Sequence, residues 1–252
     1  MQAAPEILRL SEVDSTNRYA MKNFDALADG TLVAAEFQTA GKGRQDRTWI
    51  SPPRENIYAS FVMKNLAPPV SNASIIASLG ALQMLRNTAP GVKFWIKWPN
   101  DICCGLKKIA GILCENKLSS ASSGMVAGIG ININMPQSTL DAIDQPATSL
   151  SVETGRKFEL QSAVTALADS LRGYYADYSM APRQLFNLWK QENLLIGKAI
   201  EIFDPGQKLL QGRIVDIGES GEIYFETGGG TVKFYSGDIR IRKDSFGGDI
   251  FR

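Results

Sequence analysis

The chain has 252 residues, a net charge of +1 and no histidine. That length suits one medium domain, or one domain with a small second one, and buries about 70–75% of the unfolded surface, so neither disulfides nor metal staples are needed. The near-neutral charge excludes bulk nucleic-acid binding, and the missing histidine excludes Ser-His-Asp and Cys-His nucleophilic sites and histidine metal ligands. Cys103, Cys104 and Cys114 are odd in number and lack zinc spacing, so they read as small buried residues in a reducing cytoplasm. The first residues carry no basic and apolar leader pattern, and no run reaches the roughly 20 apolar residues of a membrane span.

Residues 7–10 read as a first strand. Asp14-Ser15-Thr16-Asn17 opens a helix through about Phe24, its side-chain oxygens placed to cap the helix. A strand over 31–36 runs into a glycine loop, and a strand over 57–63 leaves it. Pro68-Pro69 breaks the chain. The spacing of Ile75, Leu79, Leu82 and Leu85 predicts a helix from about Ser71, ended by Pro90-Gly91. Strands follow over 92–97, 101–104, 108–116 and 124–134, with Gly105-Leu106-Lys107 as a hairpin turn. Residues 134–147 read as a mobile loop. Leu160, Val164, Leu167, Leu171, Tyr174 and Tyr178 predict an amphipathic helix over 159–179, and Pro182 starts another through about Glu192. After Gly197, five short strands separated by glycine turns, Asp204-Pro205-Gly206 among them, suggest a small barrel. The expected organisation is residues 1–196, a second domain over 197–244, and a loose tail over 245–252.

Four stretches carry chemistry. Gly41-Lys42-Gly43-Arg44, with Arg47, Trp49 and Arg54, joins a flexible backbone to clustered cations, which suits an anionic ligand such as phosphate. It is neither a Rossmann nor a Walker A loop: Asp46 replaces the third glycine of the first, and Gly43 the Ser/Thr of the second. In Lys97-Trp98-Pro99-Asn100-Asp101 the proline fixes a turn that sets Lys97 and Asp101 around one strand end. Lys108 opens an apolar strand, as a snorkelling surface lysine or as one reaching a cleft. In Gly128-Ile129-Gly130-Ile131-Asn132 the small residues let backbone or ligand approach closely.

Taken in order with Asp14-Ser15-Thr16-Asn17 and Lys108-Ile109-Ala110-Gly111-Ile112-Leu113, these motifs resemble the biotin–protein ligases (biotin–[acetyl-CoA-carboxylase] ligases). The resemblance implies an α+β fold: the mixed sheet of class II aminoacyl-tRNA synthetases and biotin ligases, flanked by helices, with a C-terminal SH3-like cap. It implies activation of biotin with ATP and Mg2+ as biotinyl-5′-AMP, then transfer to a lysine of a biotin carboxyl carrier protein. Neither step needs an enzyme nucleophile, in keeping with the missing histidine. By position, Ser15, Thr16 and Gln38 would bind the biotin ureido group. Gly41, Lys42, Gly43 and Arg44 would fold over biotin and phosphate, with Arg47 organising the loop and Trp49 on the adenylate side. Lys108 would reach the carboxylate and α-phosphate. Asn100 and Asp101 would face the adenylate and the metal, Asp101 also taking the proton of the incoming lysine. Gly111, Gly130 and Asn132 would line the pocket, and residues 134–147 would cover the adenylate. Lys42 stands where many bacterial members have arginine, losing the bidentate fork.

The resemblance also implies a cytoplasmic enzyme whose partners are the carrier domains of acetyl-CoA carboxylase and other biotin-dependent carboxylases, with a homodimer as one option. The core motif begins at Asp14, leaving no room for a three-helix DNA-binding domain before it, so neither specific DNA nor membrane is expected as a partner. Three alternatives stay open. A lipoate–protein ligase shares a related core, but its loop contains histidine. The others are a non-catalytic biotin-binding protein and an SH3-like binding module.

Overall fold

The computed structural model describes residues 5–45, 47–64, 66, 69–118, 123–203, 209–235 and 238–241. Pro68, the turn Asp204-Pro205-Gly206 and the tail over 245–252 lie outside the described residues. The elements run β1 (Ile7–Leu10), α1 (Thr16–Lys22), β2 (Leu32–Ala35), β3 (Ile57–Lys64), α2 (Val70–Thr88), β4 (Phe94–Lys97), β5 (Asp101–Cys104), β6 (Lys107–Leu118), β7 (Ser123–Ile131), α3 (Gln137–Leu140), α4 (Leu150–Thr154), α5 (Leu160–Met180) and α6 (Pro182–Gln191). Then come β8 (Ala199–Phe203), β9 (Leu209–Ile217), β10 (Ile223–Thr227), β11 (Gly230–Phe234) and β12 (Asp238–Ile241). Among these helices none is long and apolar enough to cross a membrane.

The first seven strands form one mixed sheet in the order β1-β2-β3-β7-β6-β5-β4. Only the β1–β2 pair is parallel. Strand alternation assigns its two faces. Leu32, Ala34, Phe61, Met63, Met125, Ala127 and Ile129 join the main core with residues of α2 and α5. Val33, Val62 and Val126 point the other way, into a small cluster with Ala20 and Phe24 beside α1. The two long helices lie close because Gly80 of α2 faces Leu171 of α5, where a Cβ would come within 2.7 Å of Leu171 Cδ2.

The last five strands form an antiparallel sheet in the order β11-β10-β9-β8-β12, as expected of the SH3-like cap. Trp98, 1% exposed, joins the two sheets by donating its indole N–H to Gly221 O at 2.7 Å. Lys190 of α6 pairs with Asp216 of β9 and holds that carboxyl below the usual carboxylate range. The expected mobile loop over 134–147 is folded in the structure. Met135 and Leu140 are buried, α3 crosses it, and its end forms a parallel bridge, Lys108↔Ala147. Long-range burial overrides the polar composition on which the expectation rested.

The α1 face of β7 carries Gly124, Val126, Gly128 and Gly130 in alternation. These glycines are where α1 and the glycine loop touch the sheet: a Cβ on Gly128 would lie 2.4 Å from Asn17 Oδ1. Asn17 has nowhere to move, because its Nδ2 donates to Leu113 O at 3.0 Å and to Glu115 Oε2 at 2.7 Å. Gly128→Ala should therefore destabilise the fold by about 1–3 kcal/mol, the usual cost of overpacking. Urea unfolding measures it, and an unchanged midpoint would contradict the close approach.

Candidate active site

The site lies on the α1 face, over β5, β6 and β7, and a bulge builds it. Ile102 pairs with Ala110 but Cys103 pairs with Lys108, so Ile109 is an extra residue in β6. In a regular strand Lys108 and Gly111, three apart, would face opposite ways. The extra residue turns both to one face. A Cβ on Gly111 would meet Lys108 Cε at 3.0 Å and Nζ at 3.1 Å. The backbone of Lys108 is held by the folded 134–147 segment: its N–H donates to Pro146 O, and its carbonyl accepts from Thr148 N, both at 2.9 Å. Its ammonium pairs with Asp101 Oδ1 at 2.7 Å, the two side chains 18% and 16% exposed.

Trp49 fills the centre. Its indole lies against the paired glycines Gly111 and Gly130: a Cβ would come within 2.9 Å of Cζ3 at the first and 2.3 Å of Cε2 at the second. The Lys108 ammonium lies 5.4 Å from the ring centroid, a cation–π distance. The indole Nε1–H is buried and has no acceptor among the described residues. The expected phosphate loop is a small hairpin: Lys42 bridges Thr48, Trp49 N donates to Gly41 O at 2.9 Å, and Gly43 N donates to Arg47 O at 2.7 Å. Gly41 is obligatory, since a Cβ there would fall 2.6 Å from Trp49 O and 2.7 Å from Ser51 Oγ.

Two polar groups complete the site. On the charged side, Arg44 Nη1 donates to Asn100 Oδ1 at 3.1 Å, tying the loop to the turn that carries Asp101. Asn100 Nδ2 donates in turn to Ile112 O. On the neutral side, Gln38 Oε1 accepts from Thr16 N at 2.9 Å and from Thr16 Oγ1 at 3.1 Å. Gln38, from another segment, therefore satisfies the first amide of α1. Ser15 is the N-cap by position, but its hydroxyl makes no capping bond, which leaves it available. The three thiols are no nucleophiles: burial first, with nearby carboxylates, pushes Cys103, Cys104 and Cys114 up to about 12.

The structure thus sets Gly111, Gly130 and Lys108 against the Trp49 indole, pairs Lys108 with Asp101 and Arg44 with Asn100, and ties Thr16, Gln38 and Gly41 to the Trp49 backbone directly or through Ser51. Lys42 and Arg47 are exposed on the hairpin above. Arg54 points elsewhere, into a pair with Glu36 at 2.7 Å. Asn132 is 3% exposed, its amide donating to Thr148 O at 3.0 Å, so it fixes the segment that braces Lys108. Ser51 and Ser60 belong to the same network, and sequence reasoning gave neither a role, since a serine beside a proline or inside a strand carries no signal of its own.

Residues 10–132 match the biotin/lipoate A/B protein ligase family, and residues 195–242 match the biotin protein ligase C-terminal domain. The biotin–[acetyl-CoA-carboxylase] ligase of Paracoccus denitrificans is 30% identical over 200 residues, covering 76% of this chain and 82% of that protein. The bifunctional ligase/repressor BirA of Bacillus subtilis is 31% identical over 220 residues, covering 84% of this chain. The matched part spans 66% of that relative's length. Among solved structures, the Aquifex aeolicus biotin protein ligase in complex with biotin and ATP superposes with a TM-score of 0.78 at 25% identity, covering 94% of this chain and 98% of that one. With both spans matched by family models and the Paracoccus denitrificans ligase 30% identical over most of its length, the chain belongs to the biotin protein ligase family.

Proposed function

We propose that the chain couples biotin to a carrier-protein lysine in two steps, using ATP. The observation that carries this reading is the Lys108–Asp101 pair, fixed beside Trp49 on a glycine floor and facing a hairpin of cations. In the first step a biotin carboxylate oxygen attacks the α-phosphorus of ATP and pyrophosphate leaves. In the second, the carrier amine attacks the acyl carbon, loses a proton, and AMP leaves with the carboxylate oxygen. Neither step requires a bond to the protein, so the protein's contribution is position and charge. The match to the biotin protein ligase C-terminal domain favours biotin over lipoate.

Roles follow from place. Ser15, Thr16 and Gln38 offer hydroxyl and amide groups to the ureido ring. Lys108 neutralises the carboxylate and α-phosphate oxygens as they approach. Arg44, Lys42 and Arg47 face the phosphates, on the hairpin that Gly43 closes through its bond to Arg47 O, and Asn100 and Trp49 face the adenylate. Asp101 orients Lys108 and, once Lys108 turns to the phosphate, takes the proton of the carrier amine. Among the described residues no three His, Cys, Asp or Glu side chains cluster as a metal cage. Magnesium therefore fits as part of the nucleotide complex, with Asp101 as one protein oxygen. Residues 1–196 form the ligand-binding unit and 197–244 the cap. The carriers are those of acetyl-CoA carboxylase and other biotin-dependent carboxylases. The enzyme is cytoplasmic, with a homodimer as one form of assembly.

Incubation with MgATP and either biotin or lipoate tests the reading. Mass spectrometry should find biotinyl-AMP, and lipoyl-AMP alone would overturn it. Lys108→Ala should slow adenylate formation by about 10²–10³-fold, the effect of losing one transition-state charge. Its unfolding midpoint should fall somewhat, because Asp101 loses its partner, and full activity in the folded variant would remove Lys108 from the chemistry. Because the hairpin cations serve the nucleotide, no sequence-specific DNA binding is expected. In a gel shift on the organism's biotin-gene promoter with biotinyl-AMP present, any weak binding should vanish at about 150 mM salt. A promoter-specific shift surviving that salt would contradict the assignment.

A further inference from the structure

One buried serine joins the two halves of the site. Ser51, 7% exposed, accepts a hydrogen bond from Gln38 Nε2 at 3.1 Å and donates to Trp49 O at 3.0 Å. The direction of both bonds is fixed by backbone groups at the ends of the chain. Thr16 N–H can only donate, so the Gln38 oxygen must face it and the Gln38 amino group must face Ser51. Trp49 C=O can only accept, so the Ser51 hydroxyl must point at it and leave its lone pairs for Gln38. Ser60 Oγ lies 2.8 Å from Thr16 Oγ1 and extends the chain into β3. Gly41 leaves no space around the junction: a Cβ would press on Trp49 O, Ser51 Oγ and Gln38 Nε2 together.

This orientation leaves Gln38 with one free N–H, which reads an acceptor on the ligand. We infer that Ser51 is a positioning residue that makes the ureido-reading Gln38 and the base of the hairpin carrying Lys42, Arg44 and Arg47 one hydrogen-bonded unit, so that a ligand carbonyl held by Gln38 also steadies the hairpin beside the acyl-adenylate. This rests on the functional reading above. Ser51 itself need not touch the ligand. Without its hydroxyl, the Gln38 amino group loses its acceptor and Trp49 O loses its donor, so ligand binding and hairpin order become independent.

The test uses the full chain loaded with biotin and MgATP, freed of small molecules by rapid gel filtration, and followed for bound biotinyl-AMP. Ser51→Ala should still form the adenylate but retain it roughly tenfold less long, the factor that one lost buried hydrogen bond supplies. Biotin should no longer slow tryptic cleavage at Lys42, Arg44 and Arg47 in that variant. Ser51→Thr, which keeps the hydroxyl, should restore both properties, an outcome that simple loss of packing does not predict. Should Ser51→Ala fail to fold, Ser51→Cys, nearly isosteric but a weak hydrogen bonder, carries the same expectation. Retention and protection equal to wild type in a folded Ala or Cys variant would overturn the relay. A wild type that forms no adenylate from biotin would overturn the functional reading, and the relay with it.

Discussion

The extra residue at Ile109 is the constraint on which the site depends. With strict alternation, Lys108 would share a face with Ala110 and Ile112, both fully or nearly fully buried in the main core. An unpaired ammonium there would be prohibitively costly. The bulge instead sends Ile109 and Ala110 inward and turns Lys108 out beside Gly111. Bulges recur next to active sites because they re-aim one side chain without disturbing the rest of the ladder. Here the backbone of the re-aimed residue is also held from outside, by Pro146 and Thr148. The segment that leaves β7 thus returns to brace the lysine that opens β6.

Around that lysine the chain uses small residues to admit large ones. Gly111 and Gly130 pair across two strands and form a flat floor, and the Trp49 indole occupies it. The site holds a neutral polar group, Thr16 with Gln38 and Ser51, and a charged one, Lys108 with Asp101 and Arg44 with Asn100. A ligand with an uncharged hydrogen-bonding ring at one end and a carboxylate at the other suits such a division. The terminal sheet contributes indirectly, since Trp98 reaches Gly221 while Asn100 and Asp101 follow two and three residues later in the chain.

Much of this was legible in the sequence because it follows from short-range rules. Glycines alternating along β7, an apolar 3.6 period in α2 and α5, and a lysine at the mouth of an apolar strand each carry a local physical reason. What could not be read depends on distant partners. The polar composition of residues 134–147 suggested mobility, yet buried Met135 and Leu140 and the bridge to Lys108 fold them. Ser15 and Thr16 looked like helix caps, but the first α1 amide is satisfied by Gln38, 22 residues away. Arg54 sits among the loop cations in sequence but turns to Glu36 in space. Ser51 has no sequence signal at all, because its importance lies in which two groups it bridges.

A site without histidine, with thiols pushed above their usual range by burial, has few means of forming a covalent bond to its substrate. The substrate carboxylate itself is therefore expected to attack the nucleotide, while Lys108, Arg44 and the hairpin supply only position and charge. An isotope measurement tests the attack of the carboxylate oxygen on the α-phosphorus. Biotin carrying heavy oxygen in its carboxylate is taken through a full turnover with ATP and a carrier protein, and the products are weighed. The account predicts heavy oxygen in AMP and none in pyrophosphate. Label in pyrophosphate, or AMP free of label, would contradict it.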